Sequence, residues 1–272
     1  MNEARVITSI TAAVAHVRLS RPRQHNGIDF DMLHAVIREA KALRKRRDVR
    51  AVIVHGEGES FCAGLDFKTV MSQPLRAAWH YSKLWQFWQN DFQRWSLAWR
   101  RVPAPVIAAI HGNCFGGGLQ LALGADIRIA TPDARLSFLE AKWGLVPDMG
   151  GVALVRELVP MDVAKELVFS GRIIRGDEAF ELGLVTHVAE DPLAAAQALA
   201  AEFIARSPDS VAAGKFLLQR AWGASERAAL GEERAWQRRV MGSANQRIAV
   251  RNAMGSRSAE IKAFKPRSGR FG

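Results

Sequence analysis

An apolar run that ends in a cluster of glycines, and passes at once into a helix-like pattern, most narrows the folds open to this chain. The segment reads Pro105-Val-Ile-Ala-Ala-Ile-His-Gly-Asn-Cys-Phe-Gly-Gly-Gly-Leu-Gln120, which predicts a buried strand, a tight turn and a helix. Glycines let backbone N–H groups approach a ligand closely, at a helix N-terminus whose dipole favours negative charge. Such a turn can stabilise an oxyanion. A second segment has the same form: strand-like Ala51-Val-Ile-Val-His55, then the loop Gly56-Glu-Gly-Glu-Ser-Phe-Cys-Ala-Gly-Leu-Asp66. Two such turns can aim two amides at one carbonyl oxygen.

The chain has 272 residues, 49% of them apolar, enough for a sizeable core and too many for a disordered chain. No apolar stretch reaches the length of a membrane span, and the N-terminus has no apolar signal region, so a cytosolic protein without a membrane partner is expected. Cys62 and Cys114 fit no zinc spacing and make no disulfide framework, and no metal site is expected. The net charge of +11 points to anionic partners and says little about fold. The basic run from Lys41 to Arg47 lies in a helix-like segment without interleaved aromatics, so a solvated helix face is expected there and a nucleic-acid partner is not.

Arg5–Ile10 and Val14–Leu19 read as a hairpin. Asp29 opens a helix on which Met32, Leu33, Val36, Ile37 and Leu43 recur at helical spacing. Val52–His55, Pro105–Ile110, Asp126–Ala130 and Arg135–Phe138 read as strands, and the repeated alternation of strand, turn and helix favours an α/β fold. Beyond Asp191-Pro192 the chain reads as helices to about residue 263, with breaks at Ser207-Pro208, Trp222-Gly223 and Gly255. The tail from Lys262 to Phe271 is expected to be mobile at its end. Trp85, Trp88, Phe92, Trp95 and Trp99 recur every three or four residues, which predicts one continuous helical stripe, mostly packing face, with one or two rings in a pocket.

The paired turns, Phe61-Cys-Ala-Gly-Leu-Asp66 and Gly116-Gly-Gly-Leu119, resemble those of the crotonase superfamily, the enoyl-CoA hydratases and isomerases, and the resemblance runs nearly the whole length of the chain. It implies a spiral of repeated ββα units over residues 1–205 and a C-terminal helical oligomerisation region over 206–272, which in the family completes a trimer or a pair of trimers. It also implies an acyl-CoA thioester as substrate, whose phosphates some of the excess basic groups can meet, and no cofactor beyond the coenzyme A of that thioester. Motif by motif, the oxyanion donors fall on the backbone N–H of Leu65 and Gly117, with Ala63, Asp66, Phe67, Lys68 and Arg23 placed to bind substrate.

Hydratases of the family carry two glutamates, one directly after the glycine turn and one twenty residues later. Here the first position is Gln120 and the second is Glu140. Gln120 can hydrogen-bond a water but cannot exchange its proton at neutral pH. Eight residues beyond Glu140 stands Asp148, which resembles the pattern of the dienoyl-CoA isomerases, where both acids are present with a third at the place of Gln120. The stretch from Phe92 to Cys114 and the long segment between the two turns resemble that subgroup as well. A single base, Glu140, suffices for a 1,3-shift of a double bond; a conjugated diene needs transfer between more distant carbons, which Glu140 and Asp148 can divide. The alternative use of Asp148 is as a turn or cap residue. The expected activity is thus a double-bond shift in an enoyl- or dienoyl-CoA through an enolate, with Glu140 as base. The alternatives are a hydratase working with Glu140 and Gln120, and a non-catalytic acyl-CoA or RNA-binding protein. His25, His55 and His111 border motifs without a triad partner, Asp126 reads as a turn anchor, and the two cysteines read as small buried fillers.

Overall fold

The computed structural model describes residues 4–255 and 261–271. The chain begins with β1 (Val6–Thr11), β2 (Val14–Leu19), α1 (Phe30–Lys45), β3 (Ala51–Gly56), α2 (Phe67–Met71), α3 (Pro74–Ser82) and α4 (Asp91–Leu97). Next come β4 (Val106–Ile110), β5 (Asn113–Phe115), α5 (Gly117–Leu123), β6 (Ile127–Ala130), β7 (Arg135–Ser137), α6 (Gly151–Val155) and α7 (Met161–Ser170). It closes with β8 (Ile174–Arg175), α8 (Gly176–Glu181), β9 (His187–Val188), α9 (Pro192–Ile204), α10 (Pro208–Ala221), α11 (Glu226–Val240) and α12 (Ala244–Met254). Among the described residues no helix is long and apolar enough to cross a membrane.

The larger sheet has the order β1-β2-β3-β4-β6-β9, antiparallel only in the β1–β2 hairpin. Ala12 and Ala13 turn that hairpin with φ of 48° and 66°, the twist a two-residue turn requires, here held by residues that usually avoid it. Alternate side chains of the central strands go to opposite faces. Val52 and Val54 join the main core with Met32, Leu33, Val36 and Ile37 of α1. Ala51, Ile53, Ile107 and Ala109 pack with Ala196 and Ala200 of α9. Full burial of each large apolar side chain contributes about 1.5–3 kcal/mol. Asp29 starts α1 by accepting the Met32 N–H at 2.7 Å.

The expected ββα spiral is visible as three successive turns of chain. Each places a strand in the large sheet, a shorter pairing in the small sheet β5-β7-β8, and then a helical segment. Cys62 follows β3 and pairs in parallel with Cys114 of β5, which pairs in parallel with Leu136 of β7. This stacking lays the first glycine turn on the second: a Cβ built on Gly64 would stand 2.7 Å from the Phe115 carbonyl oxygen and 3.7 Å from the Gly117 nitrogen. With φ of +87° as well, Gly64 has no substitute.

Two expectations are corrected. The aromatic stripe is not one helix. The chain turns extended at Gln86, and Asn90 starts α4 with a reciprocal capping box to Gln93, so Trp85 and Trp88 are exposed while Phe92, Trp95 and Trp99 are buried. Helical spacing persisted across a break that local capping dictates. Nor is the C-terminal tail loose: Arg267 donates to the Arg46 carbonyl at 2.9 Å, and Phe271 is buried with Trp236, Ala212 and Ala213 in a small separate core.

Asp126 anchors a turn, as expected, by accepting the Val106 N–H at 2.8 Å, and it also meets Lys215 of α10 at 2.7 Å. Lys215 is buried and donates to the Trp99 and Ala104 carbonyls. Removing one partner of such a pair strands a charge, so Asp126→Ala should destabilise by about 3 kcal/mol in urea unfolding. Adding Lys215→Met should recover much of that loss. A double variant as unstable as the single one would show that the ion pair is not what Asp126 contributes.

Candidate active site

The stacked turns open onto a cavity of about 380 Å³ lined mainly by apolar groups. Ala63, Gly64, Leu65, Gly116 and Gly117 form one wall, and Glu140 and Asp148 lie on it too. Gly117 is the first residue of α5, so its N–H has no intrahelical acceptor. Neither the Leu65 nor the Gly117 N–H donates to any group among the described residues. The Gly117 carbonyl is fixed from behind by the indole N–H of Trp95 at 2.8 Å. Two free amides on adjoining turns, facing an apolar pocket, suit a developing oxyanion.

Glu140 follows β7 in a 3-10 turn and lies against Gly116, where a Cβ would stand 3.2 Å from its Oε1. Gln120 is fully buried, and its orientation is fixed by its partners. Its Oε1 accepts the Met149 and Gly151 N–H groups at 2.8 and 2.9 Å, and its Nε2 donates to Glu140 Oε1 at 2.7 Å. Glu140 Oε2 is buried and has no partner. One oxygen of the carboxyl is thereby held and the other left for chemistry.

Burial is the main reason that the Glu140 carboxyl titrates above its ordinary range. Its backbone contact and the Gln120 amide oppose the rise, and the charge of Asp148 adds to it. Asp148 is likewise raised, chiefly by burial. Its charge in turn contributes to the raised pKa of the Tyr81 phenol, behind burial as the larger cause. Raised carboxyls suit groups that must both take and return a proton.

Of the residues expected at the site, Ala63, Leu65, Phe67, Gly117, Glu140 and Asp148 line the cavity. Gln120 stands behind Glu140. Asp66 is engaged elsewhere: it accepts from Arg21 at 3.0 Å and caps α2 through the Thr69 N–H. Lys68 and Arg23 are exposed and outside the cavity wall. Sequence reading missed Tyr81, Trp143 and Met149. Trp143 packs on Phe67, with centroids 4.6 Å apart; its place three residues after Glu140 is the one signal that could have found it. Of the aromatic stripe, Phe92 alone lines the cavity. The fold also gives His25 a serine partner that its sequence neighbours did not suggest, with His25 Nδ1 and Ser60 Oγ hydrogen-bonded at 3.0 Å. Ser60 is fully buried and cannot serve as a nucleophile. Both cysteines are buried, and burial pushes the Cys62 thiol up to about 12, which makes it inert.

The sequence profile of the enoyl-CoA hydratase/isomerase family matches residues 9–260. The mitochondrial Delta(3,5)-Delta(2,4)-dienoyl-CoA isomerase of Mus musculus is 34% identical over 224 residues, 78% of this chain and 67% of that protein. The present chain thus spans about two thirds of that relative. Among solved structures, an enoyl-CoA hydratase of Mycobacterium smegmatis superposes with a TM-score of 0.84 at 30% identity, covering 95% of this chain and 99% of the other. A Thermobifida fusca YX protein described as an enoyl-CoA hydratase, solved in complex with CoA, gives 0.77 at 32% identity, covering 87% and 92%.

Proposed function

The chain belongs to the enoyl-CoA hydratase/isomerase family, and from that premise we propose that it shifts a double bond in an enoyl- or dienoyl-CoA thioester. The thioester oxygen sits between the Leu65 and Gly117 amides. Glu140, ionised, removes a proton from C2 of a 3-enoyl thioester; the electrons pass to the thioester oxygen, and the amides hold the resulting dienolate. A proton returned at C4 leaves the 2-enoyl product. In a 3,5-dienoyl thioester the enolate extends to C6; Glu140 and Asp148 divide proton removal at C2 and proton return at C6, and one proton passes between the two carboxyls to restore the starting state. No atom is gained or lost, and proton transfer asks for no group beyond the thioester's own coenzyme A.

The observation that carries this reading is the use made of Gln120. Both acceptor positions of its carbonyl are occupied by backbone amides, and one N–H of its Nε2 is given to Glu140. It has no acceptor left with which to activate water, which counts against the hydratase alternative. The two raised carboxyls in the cavity wall support proton return without water.

A pair of variants tests it. Gln120→Glu places a second carboxyl beside Glu140 and should raise water addition to 2-enoyl-CoA. Asp148→Asn should impair dienoyl isomerisation more than the 3-enoyl shift. It also removes a negative charge that raises the Glu140 pKa. Since the base must be ionised, the acidic limb of kcat/KM for the 3-enoyl shift should then move to lower pH. A wild type that hydrates efficiently, with Asp148→Asn changing neither isomerisation, would assign the hydratase activity and leave Asp148 as a turn residue.

A further inference from the structure

A second cavity lies between the core and the C-terminal helices and shares no lining residue with the acyl pocket. Its volume is about 850 Å³, and its wall carries seven arginines against one carboxylate. That carboxylate, Glu157, is taken by Arg100 at 2.8 Å, and Arg101 donates to the Gln89 amide. Arg220 has Glu232 at 3.8 Å. Arg44, Arg156, Arg239 and Arg270 have no carboxylate partner among the described residues. These four converge from α1, the end of α6, α11 and the C-terminal turn, so the cluster is made by the tertiary fold and not by one helix face.

Uncompensated guanidinium groups around a concave space repel one another, and an anion seated among them relieves that cost. Each guanidinium can pair two phosphate oxygens at once, which makes linked phosphates the best-matched anion. Single-stranded nucleic acid also needs open rings on which bases stack. The indole of Trp236 is only 5% exposed, with Arg239 over it at 4.5 Å and Arg220 at 5.5 Å. Phe271 is buried as well. We propose that this cleft binds a small anion carrying several linked phosphates, at a site separate from the acyl-CoA pocket.

Calorimetric titration of the full chain at low salt, with inorganic tripolyphosphate and with ATP as probes, tests this. Both should bind, with affinity falling steeply as salt rises. Arg156→Glu with Arg270→Glu should weaken binding by about tenfold or more, since charge-assisted hydrogen bonds are each worth about 1.5–3 kcal/mol and 1.4 kcal/mol is tenfold. The milder Arg44→Gln should weaken it less, and both variants should turn over enoyl-CoA normally. Equal affinity for the probes identifies the phosphate chain alone as the ligand; tighter ATP binding identifies a nucleotide. The proposal is overturned if neither probe binds, or if the folded variants bind as wild type does. Tighter capture of a single-stranded oligonucleotide than of either probe overturns it in favour of nucleic acid. Loss of turnover in the folded variants overturns it by joining the cleft to the acyl-CoA site.

Discussion

Glu140→Gln should lower kcat by about 10²–10⁴-fold, the usual contribution of a positioned general base, while acyl-CoA binding stays within a few-fold of wild type. The side chain of Gln120 can still donate to the carbonyl of the new amide, so the network to Met149 and Gly151 survives. Burial disfavours the ionised carboxyl. With its folded pKa raised, ionising Glu140 lowers stability as pH rises through that pKa, so a neutral amide is at least as well tolerated above it. A drop in activity is then chemical and not a loss of fold. Isothermal titration with a non-reactive acyl-CoA, run beside initial rates, separates the two. Near-normal kcat in a folded variant would falsify Glu140 as the base.

Leu65→Pro should cost about 10²–10³-fold in kcat, the loss expected when one oxyanion donor is removed. Leu65→Ala, which keeps the N–H, should change kcat by a few-fold only. Proline is a fair probe here because the Leu65 N–H has no acceptor among the described residues and its φ is not positive. The partner turn cannot be probed so cleanly. A Cβ at Gly117 would stand 2.6 Å from Met149 Sδ and 2.7 Å from Ile28 Cδ1, so Gly117→Pro would disturb packing along with the amide. Equal rates in the alanine and proline variants at Leu65 would show that the oxyanion is held elsewhere.

Much of this site could be read from the chain because backbone chemistry leaves a strong trace in sequence. An apolar strand followed by glycines fixes a turn, and two such turns in parallel strands are brought together by the pairing of Cys62 with Cys114. The core strands were equally legible through their apolar runs. The cavity's other walls were not. Tyr81 reaches it from a segment whose local pattern carries no chemistry, and Trp143, three residues after Glu140, joins the wall only through tertiary packing on Phe67. The aromatic stripe misled for the opposite reason: its spacing is helical, but the Asn90 cap and the extended Gln86 interrupt the helix. Asp66 follows the oxyanion turn in sequence and suggested substrate contact, yet Arg21 and the start of α2 occupy its carboxylate. Short strands such as β8 and β9, two residues each, are too brief to show a period.

Incubating the wild-type protein with matched 2-enoyl-, 3-enoyl- and 3,5-dienoyl-CoA, and following products by chromatography with mass spectrometry, is the most direct test of double-bond migration. An isomerase converts the 3-enoyl and 3,5-dienoyl thioesters to species of unchanged mass and altered retention, and leaves the 2-enoyl thioester without added water. A product heavier by one water from 2-enoyl-CoA, with the other two thioesters untouched, would contradict the isomerase assignment outright.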